Sequence, residues 1–119
     1  MRTGAVCGPG PARLRVDGTD VAAATVADTP ATRRKGLLGT DRLEGALWIT
    51  RCPTVHMVGM RYPIDVAVVD REGTVLHTAT LRPWWGMTMP RWRASATVEM
   101  PVGSLRDWGI TRGRTLSLH

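Results

Sequence analysis

The feature that most constrains the fold is a short run of β-branched and apolar residues, Ile64-Asp65-Val66-Ala67-Val68-Val69. Apolar residues occupy both alternating sets of positions in this run, so a strand here would be buried on both faces. The residues that follow, 70–73, are typical of a hairpin loop with a glycine placed for positive φ, and Thr74–Leu81 is predicted as the returning strand. The chain must therefore build a layered β structure around this hairpin.

Further short strands are predicted on both sides of the hairpin, separated by frequent turn signals. Asp28-Thr29-Pro30 indicates a helix start, because Asp or Thr can cap and Pro suits the first helical position, and the helix is expected near residues 30–38. We therefore expect a mainly β fold, a compact antiparallel β-sandwich or small barrel with one short α-helix. The other predicted strands are Ala12–Val16, Val21–Ala27, Leu43–Ile49, Val55–Met60, Ala94–Met100 and Thr115–Leu118, and Ser104–Trp108 is predicted as a helical turn.

The length of the chain, 119 residues, fits one domain. Residues 1–11 are rich in Gly and Pro and are predicted to form a flexible N-terminal arm, which leaves 12–119 as a single β-rich domain. The N-terminal sequence lacks the apolar core of a signal peptide, and no apolar run approaches the ~20 residues of a membrane span. Two cysteines, Cys7 and Cys52, are fewer than a secreted disulfide scaffold needs. These observations favour a cytoplasmic protein with free thiols and no membrane span.

The chain is strongly basic, with a formal net charge of +6, and Lys35 is the one lysine among its sixteen cations. Such basicity favours an anionic partner, for example nucleic acid. The cations are spread along the chain, however, and Arg33-Arg34-Lys35 is the one true run. A biased amino-acid composition produces the same spread, so both interpretations stay open.

The segment from Arg82 to Arg93 contains three Trp, two Met and three Arg within twelve residues. Its Pro and Gly residues argue against regular structure. Trp and Arg are favoured in binding hot spots and stack on bases and sugars, but a chain without Phe also needs Trp for its core. The segment is therefore either a plug for one end of the fold or a surface that binds a partner. Its candidate binding residues are Arg82, Trp84, Trp85, Arg91 and Trp92.

Asp65 is the polar residue that most needs a partner. In a strand buried on both faces its carboxylate must be hydrogen-bonded or paired, either with backbone N–H groups or with a cation such as Arg61. A functional interpretation is a perturbed carboxylate at a site, which would act in a hydrolase-type enzyme with His56 or Glu99. Glu99 follows a residue that should point inward, so its side chain is expected to face outward.

The sequence predicts neither a metal nor a cofactor. Cys52, His56 and Met60 would share one face of an unbroken strand, but they would span roughly 13 Å, too far apart for one ion. A Cys52–His56 nucleophile–base pair lacks an obvious third residue to orient it. His56 therefore joins Asp65 and the Trp-rich segment as a candidate binding residue.

Three blocks of the sequence resemble one known family. The central block, with His56-Met57 followed by Pro63-Ile64-Asp65, resembles a Trp-Met-x-Asn-Thr-x-x-Pro-Leu-Asp-x-x-Phe-x-Asp motif. Upstream, residues 33–38 resemble an Arg-x-x-Gly-Leu-Met element. Downstream, residues 98–113 resemble Leu-Glu-x-x-x-Gly followed by Gly-Ile-x-x-Gly-Asp. The order and spacing are those of domain-of-unknown-function family 192, and the resemblance covers about residues 20–118.

The sequence departs from the family motif at several positions. The motif's Trp is His56 here, its Asn is Gly59, its Thr is Met60, its Phe is Val68, and its final Asp is Arg114. A polar site built on the Asn-Thr pair would therefore be absent or remodelled. The resemblance implies a compact β-sandwich and carries over no established activity.

Three functions remain as hypotheses. The first is a non-enzymatic binding or interaction module for a protein or a small polar ligand, and it requires that at least two of Trp84, Trp85 and Trp92 be exposed. The second is the hydrolase-type enzyme, which requires Asp65 to line an accessible cleft. The third is nucleic-acid binding through the arginines and the Trp-rich segment.

Overall fold

The computed structural model describes residues 4–119, which form nine strands and two short helices. In chain order these are β1 (Val6–Cys7), β2 (Ala12–Val16), β3 (Thr19–Ala27), α1 (Pro30–Lys35), β4 (Arg42–Leu43), β5 (Ala46–Ile49), β6 (Ile64–Val69), β7 (Val75–Leu81), β8 (Ala96–Met100), α2 (Ser104–Asp107) and β9 (Leu116–Leu118). Seven strands make one sheet in the order β7-β6-β8-β5-β3-β2-β9, and β1 and β4 form a separate parallel pair.

The large sheet curls until its two edges approach each other. Thr74, just before β7, forms a bridge with Thr115, just before β9. The N–H of Leu116 donates to the Gly73 carbonyl at 2.8 Å, and the N–H of Val75 donates to the Arg114 carbonyl at 2.8 Å. The result is a curled half-barrel, which confirms the expected mainly β architecture with a short helix near residues 30–38.

One pair of strands in the sheet is parallel. β3 and β5 pair from Ala24 with Ala46 to Ala27 with Ile49, whereas the other pairs in this sheet are antiparallel. A parallel pair needs a crossover, and the chain between these strands, which includes α1, provides it. The predicted strand over residues 55–60 is reduced to a single bridge between His56 and Met87.

Helix α1 begins as the sequence predicts. Thr29 and Thr32 form a reciprocal capping box, and Pro30 occupies the first turn. The helix ends at Gly36, whose φ of +49° lies in the left-handed region. Its last turn carries the cationic run, which places three positive side chains where the helix dipole favours them.

The N-terminal segment contributes little regular structure. Residues 1–3 lie outside the described part of the chain, and Val6–Cys7 pairs with Arg42–Leu43. The flexibility expected for residues 1–11 stays a prediction. No helix in residues 4–119 is long and apolar enough to cross a bilayer.

The core lies on both faces of the sheet. Every residue of β6 and β8 is buried, which confirms that Ile64–Val69 is covered on both sides. One face packs Ala67, Val69, Val98 and Met100 with α2 and β9 residues. The other packs Ile64 and Val66 with Leu37, which follows α1, and with residues from β5 and the 52–60 segment. The two faces also separate two buried acidic residues, because Asp65 lies on the first face and Glu99 on the second.

Candidate functional site

Asp65 is buried, and its carboxylate is fully used in hydrogen bonds within the fold. It is 2% exposed, and its carboxylate accepts hydrogen bonds from the Thr80 hydroxyl at 2.7 Å and from the N–H groups of Gly103 and Leu105 at 2.9 and 3.2 Å. The last two donors belong to the start of α2, whose own N-cap, Gly103, has no side chain to cap it. Asp65 therefore caps α2 from the neighbouring strand and does not line an accessible cleft.

The register between β6 and β8 separates Asp65 from Glu99. Val66 pairs with Glu99, and Asp65 pairs with Met100, so Asp65 and Glu99 point to opposite faces of the sheet. The two carboxyl groups cannot act on one substrate. The hydrolase hypothesis that combines them is therefore not supported by the geometry.

The orientation of Glu99 differs from the one predicted from the sequence. The expectation that it faces solvent is wrong: Glu99 is 4% exposed, because α1 and the 52–60 segment cover its face of the sheet. Burial raises the pKa of its carboxyl to about 7. Within residues 4–119, no group donates a hydrogen bond or an ion pair to this carboxyl.

A small recess of about 120 Å³ opens above Glu99, and we call it the Glu99 recess. Arg33, Arg34 and Lys35 line it on the α1 side. The apolar wall consists of Leu37, Leu38, Ile49, Val55, Val58 and Met60. The recess thus combines a buried carboxyl, an apolar wall and a cationic side.

Gly36 lies at the wall of the recess, next to the Glu99 carboxyl. A Cβ atom at this position would lie 3.7 Å from Oε1 of Glu99 and 3.8 Å from Cδ1 of Ile49. A longer side chain would stand over the carboxyl and fill the space in front of it. Gly36 is part of the sequence block 33–38, and its positive φ of +49° at the end of α1 is the conformational reason for a glycine after the cationic run.

Cys52 and His56 also line the recess, but neither is prepared for nucleophilic chemistry. Burial raises the pKa of the Cys52 thiol, and its Sγ donates to the Thr54 carbonyl at 3.2 Å. A nucleophilic cysteine needs a lowered pKa. His56 is exposed, and neither side chain hydrogen-bonds to the other in the described part of the chain. Within residues 4–119, no group of three His, Cys, Asp or Glu side chains is placed to hold a metal ion.

The Trp-rich segment is an exposed loop whose first half is fixed by backbone hydrogen bonds. The N–H of Trp84 donates to the Met57 carbonyl at 2.8 Å, and the N–H of Thr88 donates to the Val55 carbonyl at 2.8 Å. Trp84, Trp85 and Trp92 are 59%, 82% and 87% exposed. The binding-module hypothesis requires at least two of these three tryptophans to be exposed, and all three are. Their side chains therefore do not plug the end of the core.

The candidate residues from the sequence do not converge on one site. Arg82, Trp84, Trp85 and Arg91 are exposed, but they line neither the Glu99 recess nor the larger groove beside Arg51 and Trp92. His56 lies at the recess, Trp92 lies at a separate groove, and Asp65 is on the opposite face of the sheet from the recess. The signal that could have found the recess was the pair of motif blocks around Gly36 and Glu99, which the fold brings together with His56.

Fold and recess together define a class of protein: a small β half-barrel in which a buried carboxyl faces a recess lined by three separate sequence blocks. The family model for DUF192, described as an uncharacterised family, matches residues 12–118, and the chain belongs to this family. A stretch of 50 residues is 42% identical to a UPF0127 protein of Pyrococcus abyssi. That stretch spans 42% of this chain and 42% of that protein.

Two solved structures are similar in fold. A protein of unknown function from Novosphingobium aromaticivorans has a TM-score of 0.73 and 24% identity, with 88% of this chain and 83% of that chain covered. A protein from Sinorhizobium meliloti, described as a candidate transcription regulator, has a TM-score of 0.72 and 19% identity, with coverage of 89% and 92%. At these identities the likeness concerns the fold alone.

Proposed function

We propose that this protein is a non-enzymatic binding module that takes a small polar ligand into the Glu99 recess. The observation that carries the proposal is a buried carboxyl without a hydrogen-bond partner in the described chain, facing an open recess. Burying such a group costs free energy, since only water that enters the recess can replace its lost solvation. A ligand that donates a hydrogen bond to Glu99 would recover this free energy on binding.

The shape and charge of the recess define the ligand class. A volume of about 120 Å³ holds roughly four water molecules at their liquid density, so only a small group reaches Glu99. The cations at positions 33–35 favour an anionic group at the outer end of the ligand. We therefore infer a small molecule with an amine at its inner end and a carboxylate or phosphate at its outer end.

Binding without catalysis fits the chemistry of the lining. The Cys52 thiol has a raised pKa and stays protonated near neutral pH. Asp65, the other buried carboxylate, lies on the opposite face of the sheet. Within the described residues, the recess therefore offers Glu99 neither an activated thiol nor a second carboxyl, and His56 at its exposed side forms no hydrogen bond to Cys52. We infer that the role of Glu99 is to recognise the ligand.

Thermal-shift measurements at pH 7 with defined probes test the proposal. Glycine, β-alanine and ethanolamine phosphate carry both groups, whereas methylamine and acetate each carry one. A probe at ten times its Kd stabilises the native state by about 1.4 kcal/mol, so Tm should rise by several degrees with the two-group probes. Absence of a shift with all three two-group probes contradicts the proposed ligand class.

Two matched variants show whether the shift comes from Glu99. In Glu99→Ala the shift should disappear, because the recess loses its one buried carboxyl. In Glu72→Ala, which alters an exposed glutamate outside the recess, the shift should remain. Equal shifts in wild type and Glu99→Ala would mean that the probes bind elsewhere. An equal response to acetate would contradict an inner amine.

A further inference from the structure

A second cavity, which we call the arginine groove, lies on the other side of the segment that carries Cys52. Cys52 lines the recess, whereas its neighbours Arg51 and Pro53 line the groove. The groove has a volume of about 740 Å³, within the range of ligand-binding sites. Residues 70–72 of the β6–β7 hairpin and residues 92–95 complete its walls.

Three guanidinium groups of the groove have no ion-pair partner in the part of the chain that the structure describes. Arg51, Arg71 and Arg93 are exposed, and none of them forms a salt bridge within residues 4–119. Other arginines, such as Arg13 and Arg61, are paired with aspartates at 2.6 and 2.8 Å. The groove therefore brings together three arginines whose charge is not neutralised by an ion pair in the described chain.

The carboxylates of the groove do not cancel this charge. Asp70 is held inside the hairpin, where its Oδ1 accepts from the N–H groups of Glu72 and Thr74 at 3.0 and 2.9 Å. Glu72 is exposed at the tip of the hairpin. Three arginines thus face two carboxylates, of which one is occupied by backbone donors.

Trp92 supplies a flat apolar surface beside these charges. It lines the groove, and 87% of its surface is exposed, which leaves a large aromatic ring in water. An exposed aromatic ring next to arginines is the arrangement that binds stacked bases, because the ring takes the base and the guanidinium groups take the phosphates.

The backbone at the groove is strained. Arg51 and Arg93 have φ values of +52° and +73°, a region that costs a non-glycine residue roughly 1–2 kcal/mol. They are two of the four non-glycine residues with positive φ in the described chain. Such strain is tolerated where a side chain must be held in a particular direction. Here the two strained residues are both arginines of the same groove.

We propose that the arginine groove binds single-stranded nucleic acid, with phosphates at Arg51, Arg71 and Arg93 and a base stacked on Trp92. An acidic peptide would also pair with the arginines, but its carboxylates make no use of the exposed indole. The aromatic ring therefore favours a nucleic acid strand over an acidic protein. The arginine groove shares no lining residue with the Glu99 recess, so a test of one proposal does not decide the other.

Fluorescence anisotropy of the full chain with fluorescein-labelled dT15 and rU15 tests the proposal. Affinity should fall steeply between 50 and 200 mM KCl, since phosphate contacts release counterions. Trp92→Ala should weaken binding about fivefold or more, as expected for loss of one stacked base. Arg93→Gln, which keeps the backbone strain, should weaken binding and reduce the magnitude of the salt slope by about 0.7, the value for one phosphate contact to a single strand.

The controls separate a specific groove from general basicity. Trp85→Ala removes an equally exposed tryptophan outside the groove, and Arg106→Gln removes an exposed arginine on α2; both should bind like wild type. Circular dichroism verifies that each variant is folded. Equal affinity of Trp92→Ala and wild type, no binding of either oligonucleotide at 50 mM KCl, or equally tight binding of labelled poly-glutamate would each overturn the proposal.

Discussion

At the scale of single residues, two buried carboxyls on neighbouring strands differ in what surrounds them. Asp65 has three donors and acts as a helix cap, whereas Glu99 has none in the described chain and faces a recess. The difference arises because side chains alternate between the two faces of a sheet, and the β6–β8 register places Asp65 on one face and Glu99 on the other. One face offers the free N–H groups of a helix start, and the other offers apolar side chains.

Glu99 should make stability depend on pH. Its pKa is about 7 in the folded state and near 4.3 in the unfolded chain, so the folded state binds more protons between these values. Stability therefore falls as pH rises from about 4.5 to 7. Glu99→Gln removes this loss, so its stability relative to wild type should rise by about 3 kcal/mol between pH 4.5 and pH 8. Urea unfolding at both pH values measures the effect.

The pH dependence of stability is compared between wild type and Glu99→Gln because His77 changes stability with pH in the opposite direction. Burial, followed by Arg91 and Arg112, lowers the pKa of His77, and this effect is present in both proteins and cancels in their difference. Glu72→Gln, at an exposed position, should show no such pH-dependent gain. A constant difference between Glu99→Gln and wild type from pH 4.5 to 8 would refute the raised pKa.

Asp65 should be replaceable by an amide but not by a methyl group. Asp65→Ala leaves the N–H groups of Gly103 and Leu105 without their acceptor and should cost about 3 kcal/mol. Asp65→Asn can keep all three contacts, because its carbonyl accepts from the backbone and its amide donates to the Thr80 hydroxyl, so it should cost only about 1 kcal/mol. Asp107→Ala, on the exposed side of α2, is the control and should stay within about 0.5 kcal/mol in urea unfolding.

At the scale of elements, the β6–β7 hairpin depends on Gly73. Its φ is +85°, and a Cβ atom there would overlap the carbonyl oxygen of Leu116. Gly73→Ala should therefore cost more than about 3 kcal/mol, since both backbone strain and a steric clash with β9 must be relieved. Gly18→Ala has the same sign of φ, +84°, but open space around the added methyl, and should cost about 1 kcal/mol.

Thermal unfolding of the two glycine variants measures this difference. The contact between the hairpin loop and β9 accounts for the excess loss in Gly73→Ala, because the backbone penalty is shared by both. Similar Tm values for the two variants would show that this contact contributes nothing.

At the scale of the whole molecule, β9 joins the two edges of the curled sheet. It pairs with β2, and Thr115–Leu116 also contacts Gly73 and Thr74 at the end of the β6–β7 loop. A chain that ends at Arg114 should lose its cooperative thermal transition, because these contacts connect the first and last parts of the sheet. Leu116→Ala, which keeps the backbone, should stay folded but lose about 3 kcal/mol, since Leu116 is 1% exposed.

Ser117→Ala is the matched control for the neighbouring position of β9. Ser117 is half-buried, and its hydroxyl makes a long hydrogen bond of 3.4 Å to the ring of His119, so the substitution should change stability by less than about 0.5 kcal/mol. If the shortened chain unfolded with the same midpoint and cooperativity as the full chain, β9 would not close the sheet.

Much of the fold could be predicted because its signals are local. The run Ile64–Val69 and the glycine at position 73 define a buried hairpin, and Thr29 with Pro30 defines the start of α1. Each of these depends on backbone preferences within a few residues. The requirement that Asp65 find donors was predictable for the same reason, although its partners were not.

The sequence by itself determined the mainly β architecture, the hairpin, the helix start and the family. Only the tertiary structure decided that Glu99 is buried, that it lies on the opposite face from Asp65, and that Trp92 lines a groove with three arginines. The physical reason is that the sequence of β8 alternates apolar and polar residues, and this pattern is the same whether the polar face is exposed to solvent or covered by other segments. Coverage depends on distant segments, here α1 and residues 52–60, and on the parallel pairing of β3 with β5 that brings them over the sheet.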